Sequence, residues 1–249
     1  MRPVFFLSDF GCEDPYAGVV RAVITSRAPG AEVRDLAHDL PPGDLRRGAY
    51  ALYQALPYLP RGAVVLAVVD PGVGSERRTL AVEAGGWLLV VPDNGLLTLV
   101  AQRWPPGAAV VLPVPEGASA TFHGRDVFAP AAAALAKGVP LARLGRGTDP
   151  RGLVRLPVSL TRGREGEVLT FDRFGNVVTT LVGPPPPGAV LRVGGVEAPC
   201  RRTFADVPEG EPVCYQGSAG LIELAVNRGS ARERYALKEG LPARLSTAP

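Results

Sequence analysis

Residues 64–78, VVLAVVDPGVGSERR, constrain this chain more than any other stretch. Val64, Val65, Leu66, Val68 and Val69 are apolar without polar alternation, the pattern of a strand covered on both faces. Pro71, Gly72 and Gly74 break any continuation. Such a strand belongs in an α/β sheet, where ligands gather in the crevice beyond the carboxyl ends of strands. Asp70 closes the strand and Arg77 lies seven residues on. Two readings stand for this pair: site chemistry, or an Asp that caps the turn and an Arg in solvent.

The rest of the first half arranges itself around that strand. Val4–Ser8 is a short apolar strand ending in Asp9-Phe10-Gly11. Pro15 suits the first turn of a helix, and Tyr16, Val19, Val20, Val23 and Ile24 give that helix an apolar stripe. A strand is expected over 31–36, before His38-Asp39, and a helix over 44–59 with Leu45, Ala49, Leu52 and Leu56 on one face. Strands over 79–84 and 87–91 follow, then an Asp93-Asn94-Gly95 turn and a helix from Leu96. A strand over 110–114 and an alanine-rich helix over 129–136 complete the run. This alternation predicts a largely parallel sheet with helices on its faces. Ser8-Asp9, His38-Asp39, Asp70 and Asp93-Asn94 would then gather along one edge.

The texture changes after Gly138. Residues 140–157, rich in Gly, Pro and Arg, read as a linker. Beyond it lie short β segments over 167–171, 177–181, 189–193, 212–216 and 221–226, separated by Gly/Pro turns such as GPPPPG. That spacing predicts a small antiparallel barrel or sandwich. The expected fold class is α/β: a largely parallel N-terminal α/β domain over 1–150 and a smaller antiparallel, barrel-like C-terminal domain over 158–249.

Composition removes several function classes. With 249 residues, 46% hydrophobic and 20% charged, the chain suits a globular protein with a sizeable core. No apolar run approaches the ~20 residues of a membrane helix. The opening MRPVFFLSDFG reads as a strand entering a loop rather than a signal peptide. No membrane partner is expected, and the expected location is cytoplasmic. A formal charge of +3 without a basic run leaves no nucleic-acid footprint. Cys12, Cys200 and Cys214 are an odd set without C-x-x-C spacing, which argues against both a disulfide framework and a zinc site. Gly72 and Gly74 lack the residues of a phosphate loop or a dinucleotide fingerprint. His123 and Asp126 have no identifiable third ligand, so metal is set aside.

Three further motifs admit both a functional and an ordinary reading. Asp9, ending the first strand, can accept both hydrogen bonds of a ribose diol, or cap a turn. FDRFGN, over 171–176, offers a ring, a carboxylate and an amide that fit a purine and its sugar, or an ordinary β-turn. YQGSAGLIELAVN, over 215–227, pairs a polar glycine-rich turn with an apolar strand.

Together, SDFG…DPY, HDLPP, VDPGVGSERR, PDNGLL, FHGRDVFAP, DRFGN and GSAGLIELAVN resemble, in order and spacing, the S-adenosylmethionine hydroxide adenosyltransferases. These are relatives of the bacterial halogenases that make 5′-halo-5′-deoxyadenosine. The resemblance implies a homotrimer whose ligand lies between the N-terminal domain of one subunit and the C-terminal domain of the next. It implies an Asp-Arg-His triad at Asp70, Arg77 and His123. It also implies a ribose-binding carboxylate at Asp9 and an acid for the methionine amine at Asp14. On the C-terminal side it implies adenine contacts at Asp172, Phe174 and Asn176. Ser218 would meet the methionine carboxylate, and Arg228 would bring a backbone group to the adenine edge.

The implied activity is hydrolysis of S-adenosylmethionine to adenosine and L-methionine, by in-line attack of water or hydroxide on C5′ without metal or organic cofactor. Halide-dependent cleavage and a non-catalytic sensor are the alternatives. The halogenases carry Tyr in place of Asp70, Tyr-Ser in place of His123-Gly124, and an inserted loop near 85–87. These departures favour water as nucleophile. Trp stands in the halogenases where this chain has Gly43, and Arg where it has Ala219. The intact Asp-Arg-His set argues against a sensor, because binding alone does not need it.

Overall fold

A computed structural model describes residues 1–247 and divides the chain into two compact units, the second beginning at Pro157. The first unit opens with β1 (Val4–Ser8), α1 (Tyr16–Arg27), β2 (Val33–Ala37), α2 (Leu45–Ala55) and β3 (Val64–Val68). It continues through β4 (Thr79–Ala84), β5 (Trp87–Pro92), α3 (Thr98–Arg103) and β6 (Pro106–Val111). A π-helical turn (Gly124–Phe128), α4 (Ala129–Ala136) and β7 (Arg146–Thr148) close it. One seven-stranded sheet runs β2-β1-β3-β5-β4-β6-β7. It is parallel across β2, β1, β3 and β5, with α1 and α2 connecting β1, β2 and β3. Beyond β5 it turns antiparallel, because Gly85 and Gly86, at φ +57° and +85°, close a two-residue hairpin between β4 and β5.

The unbroken apolar run of β3 has the expected cause. Val64, Leu66 and Val68 enter one core with Ile24 of α1 and Leu135 of α4. Val65 and Ala67 enter the opposite core with Leu52 of α2 and Val100 of α3. Each buried Val or Leu stabilises the fold by roughly 1.5–3 kcal/mol, so β3 is the central pillar of the sheet. The helix expected over 44–59 stops at Ala55, where Pro57 can supply no intrahelical N–H, and a 3₁₀ turn follows at Leu56–Tyr58. Asp44 caps its start, accepting a hydrogen bond from the Arg47 amide at 2.8 Å. The strand expected over 110–114 is shifted to 106–111, since Pro113 and Pro115 cannot donate to a ladder.

The second unit contains β8 (Glu165–Phe171), β9 (Val177–Val182), β10 (Ala189–Val193) and β11 (Val196–Pro199). Then come β12 (Pro212–Gln216), β13 (Leu221–Val226), the short α5 (Ala231–Arg234) and β14 (Pro242–Thr247). Its strands form an antiparallel sheet in the order β11-β10-β14-β8-β9-β13-β12. The end strands approach through a bridge between Cys200 and Cys214, so the sheet curls almost closed and its edges are protected. Cys200 and Cys214 are joined by a disulfide, their Cα atoms 4.2 Å apart. This corrects the expectation that the cysteines form no disulfide. Local spacing could not reveal a pair that only sheet closure brings together. Cys12 is free and exposed.

Candidate active site

The register of β1 on β3 sets Ser8 opposite Val68, so Asp9 and Asp70 leave adjacent strand ends. Asn94 fixes the end of β3, its Nδ2 donating to the Val69 carbonyl at 2.9 Å. After Asp70 the chain turns tightly, the Val73 amide donating to the Asp70 carbonyl and the Ser75 amide to that of Gly72. Gly74 has φ +78°, and a Cβ there would run into the Ala120 carbonyl. Only glycine allows this loop to press on the 119–122 segment, and that contact brings Arg77 to His123.

Asp70 and Arg77 form a buried, bidentate pair. Nε of Arg77 donates to Asp70 Oδ1 at 2.8 Å and Nη2 donates to Oδ2, with the two side chains 8% (Arg77) and 5% (Asp70) exposed. Nη2 also lies 3.0 Å from His123 Nδ1. A guanidinium only donates, so Nδ1 accepts and the neutral ring carries its proton on Nε2. Burial, and then the Arg77 charge, push the His123 pKa below its ordinary 6.5, with Asp70 and Asp126 opposing. Nη1 of Arg77 is buried and has no protein partner. The cluster therefore holds a fixed cation beside a neutral imidazole whose Nε2 proton is not used by Arg77. Such a set can orient and stabilise an oxyanion-like species.

Asp9 faces the same cavity, which Asp70, His123, Phe10 and Phe122 also line. Its Oδ2 accepts from the Gly43 amide at 2.8 Å. Burial pushes the Asp9 carboxyl up; the Gly43 hydrogen bond opposes this and the Asp70 charge adds to it. His38 is buried beneath the loop rather than in the cavity. Its Nδ1 is 2.7 Å from Ser8 Oγ, and its carbonyl accepts from the Gly11 amide at 2.9 Å. Asp93 is spent on structure, accepting from Arg78 Nε at 2.7 Å and the Val154 amide at 2.9 Å. Asp14 is exposed, two residues before α1. Among the described residues no group of three or more His, Cys, Asp or Glu side chains gathers as a metal site.

The second unit carries its own cavity, of about 450 Å³, lined by Phe174, Asn176, Phe204, Arg228 and the strand end at Ala225 and Val226. Phe174 and Phe204 are 76% and 53% exposed, unusual for phenylalanines unless something covers them. Phe204 escaped the sequence reading. Its signal was a lone aromatic in the polar stretch RRTFADVPEG. Asp172 does not line the cavity. Its carboxylate accepts from the Phe174 amide and from the Asn176 amide and Nδ2, at 2.8–2.9 Å, and so builds the turn that presents Phe174 and Asn176. Ser218 is exposed in the turn between β12 and β13, outside the lining. Arg228 sits at φ +58° and pairs with Glu209 at 3.0 Å.

The family models for the SAM hydroxide adenosyltransferase N-terminal and C-terminal domains match residues 4–145 and 166–244. A protein of Thermus thermophilus named (R)-S-adenosyl-L-methionine hydrolase is 62% identical, over 98% of this chain and 100% of its own. A Salinispora arenicola protein of the same name is 47% identical over 95% of each. A fluorinase of Actinopolyspora mzabensis is more distant, at 28% identity over 98% of this chain and 97% of its own. A crystal structure of a conserved hypothetical protein from Thermus thermophilus superposes with a TM-score of 0.91 at 60% identity, over 99% of this chain and 100% of that one. This chain belongs to the SAM hydroxide adenosyltransferase family.

Proposed function

We propose that this chain hydrolyses S-adenosyl-L-methionine to adenosine and L-methionine, in the R configuration at sulfur that the names of its hydrolase relatives specify. One observation carries the reading: Asp70, His123 and the Asp9 carboxylate line one cavity at adjacent strand ends, and Arg77 is buried behind them, paired with Asp70 and 3.0 Å from His123. Asp9 holds the ribose diol, which sets C5′ against the cluster. Water attacks C5′ in line with the C5′–S bond. The O–C5′ bond forms, the C5′–S electrons pass to sulfur, and the protonated 5′-hydroxyl then releases one proton to solvent water. Methionine departs as a neutral thioether, so no acid is needed for the leaving group. Arg77, behind Asp70 and His123, favours the hydroxide-like nucleophile by its charge. Asp70 fixes Arg77, and His123 donates from Nε2 to orient the nucleophile rather than to deprotonate it.

The remaining contacts are those the family resemblance implies, with Phe204 added and Asp172 moved to a shaping role by the cavity's lining. Phe174, Asn176 and Arg228, with Phe204, take the adenine; Asp172 shapes their turn. Asp14 and Ser218 take the methionine amine and carboxylate. The two half-sites join when the first unit of one copy meets the second unit of the next in a homotrimer, and the enzyme works in the cytoplasm. Incubating purified protein with each sulfonium epimer, with and without halide, tests the reading. Halide-independent adenosine from the R epimer is expected. Tight binding without adenosine would replace the enzyme with a sensor.

A further inference from the structure

We propose that a cavity walled by Phe10, Tyr16 and Phe122 receives the sulfonium of the substrate and selects for its positive charge. This rests on the hydrolase reading above, which sets C5′ in the cavity of Asp9, Asp70 and His123. Sulfur is one bond from C5′, so a space that adjoins that cavity is within its reach. The adjoining space, of about 380 Å³, is lined by Phe10, Tyr16, Phe122, Ser119, Thr121 and Arg125. It shares Phe10, Thr121 and Phe122 with the smaller cavity.

The three rings form an edge-to-face triangle. Centroids are 6.2 Å apart for Phe10–Tyr16, 6.0 Å for Phe10–Phe122 and 5.4 Å for Tyr16–Phe122, with planes inclined at 62°, 76° and 87°. Tyr16 is 48% exposed although it begins α1, so its ring is not spent on the core. Gly124 makes room for the triangle: a Cβ there would meet Phe10 Cζ at 3.1 Å. Aromatic faces attract cations, and this wall already does so, since Arg125 Cζ lies 5.2 Å from the Phe122 ring. Arg125 does not repel a second cation strongly, because Asp126 accepts from its Nε at 2.7 Å and its Nη2 at 2.8 Å. Tyr16 and Phe10 remain for the sulfonium.

The attraction belongs to the ground state. Sulfur loses its charge as the C5′–S bond breaks, so the rings select the substrate and release a neutral methionine. Removing them should raise KM and leave kcat unchanged or higher.

Calorimetry with two uncleavable ligands isolates the charge. One carries C–NH₃⁺ in place of the sulfonium; the other is the neutral thioether S-adenosylhomocysteine. In Tyr16→Leu and Phe10→Leu the cationic ligand should weaken about 3- to 30-fold, and the thioether by less than about twofold. Tyr16→Phe, which keeps the ring, should keep the wild-type preference. Equal weakening of both ligands, or of neither, in folded variants overturns the proposal. Wild-type protein that binds neither ligand and makes no adenosine would instead remove the hydrolase reading, and this proposal with it.

Discussion

Replacing Asp70 with Asn tests whether the cluster is held as a buried ion pair. The carboxylate receives two hydrogen bonds from Arg77, and the two side chains are only 5% and 8% exposed. Asn keeps the shape but loses the charge, and its amide turns a donor toward a guanidinium that also only donates. Removing one partner of a buried pair costs about 3–5 kcal/mol, because the other charge is left without compensation. At about 2–4 °C per kcal/mol for a chain of this length, Tm should fall by roughly 6–20 °C. The double variant Asp70→Asn/Arg77→Met leaves no uncompensated charge and should regain about 2–3 kcal/mol of that loss through the coupling. Its turnover should stay abolished, since the oxyanion-stabilising cation is gone. Calorimetric melts and adenosine release, measured on the same samples, separate the two effects. An Asp70→Asn protein melting within about 2 °C of wild type would refute the buried pair. So would a double variant as unstable as the sum of the single ones.

His123 supplies a pH prediction. Its folded pKa lies below 6.5, so in acid the unfolded chain binds the proton more readily. Its contribution to stability is present above about pH 6.5 and is lost as pH falls through the depressed pKa; a protonated Nδ1 can no longer accept from Arg77, so kcat/KM should fall below 6.5 rather than at it. Denaturation curves and rate profiles, with His123→Asn as the variant lacking this response, check both. The Cys200–Cys214 disulfide closes a 14-residue separation. Reducing it should cost about 3 kcal/mol and roughly 6–12 °C in Tm. Thiol alkylation before reduction should label Cys12 alone. Gly74→Ala should displace the loop that carries Arg77 and lower kcat about 10²-fold while sparing the β3 core, read by steady-state kinetics beside far-UV circular dichroism.

Much of this was legible because local signals and long-range consequences coincide. The unbroken apolar run of β3 announced burial on both faces, and the polar residues after β1 and β3 meet because parallel pairing aligns strand ends. Asp70 and Arg77 had two readings in the sequence. Burial of both side chains in one ion pair excludes an Arg in solvent. Asp172 went the other way, its carboxylate absorbed by the turn it forms. What stayed hidden depends on closure or register. Cys200 and Cys214 meet only when β11 and β12 approach, and Phe204 gains meaning only beside Phe174. The aromatic triangle was invisible for the same reason, since Phe122 lies more than a hundred residues from Phe10.

In the proposed reaction water attacks C5′, beside Asp9 and the Asp70–Arg77–His123 cluster. Running the reaction in ¹⁸O-labelled water and weighing both products tests it directly. One solvent oxygen is expected in the 5′-hydroxyl of adenosine and none in methionine. Label in homoserine, with methylthioadenosine as the other product, would place the attack on the methionine Cγ and contradict it.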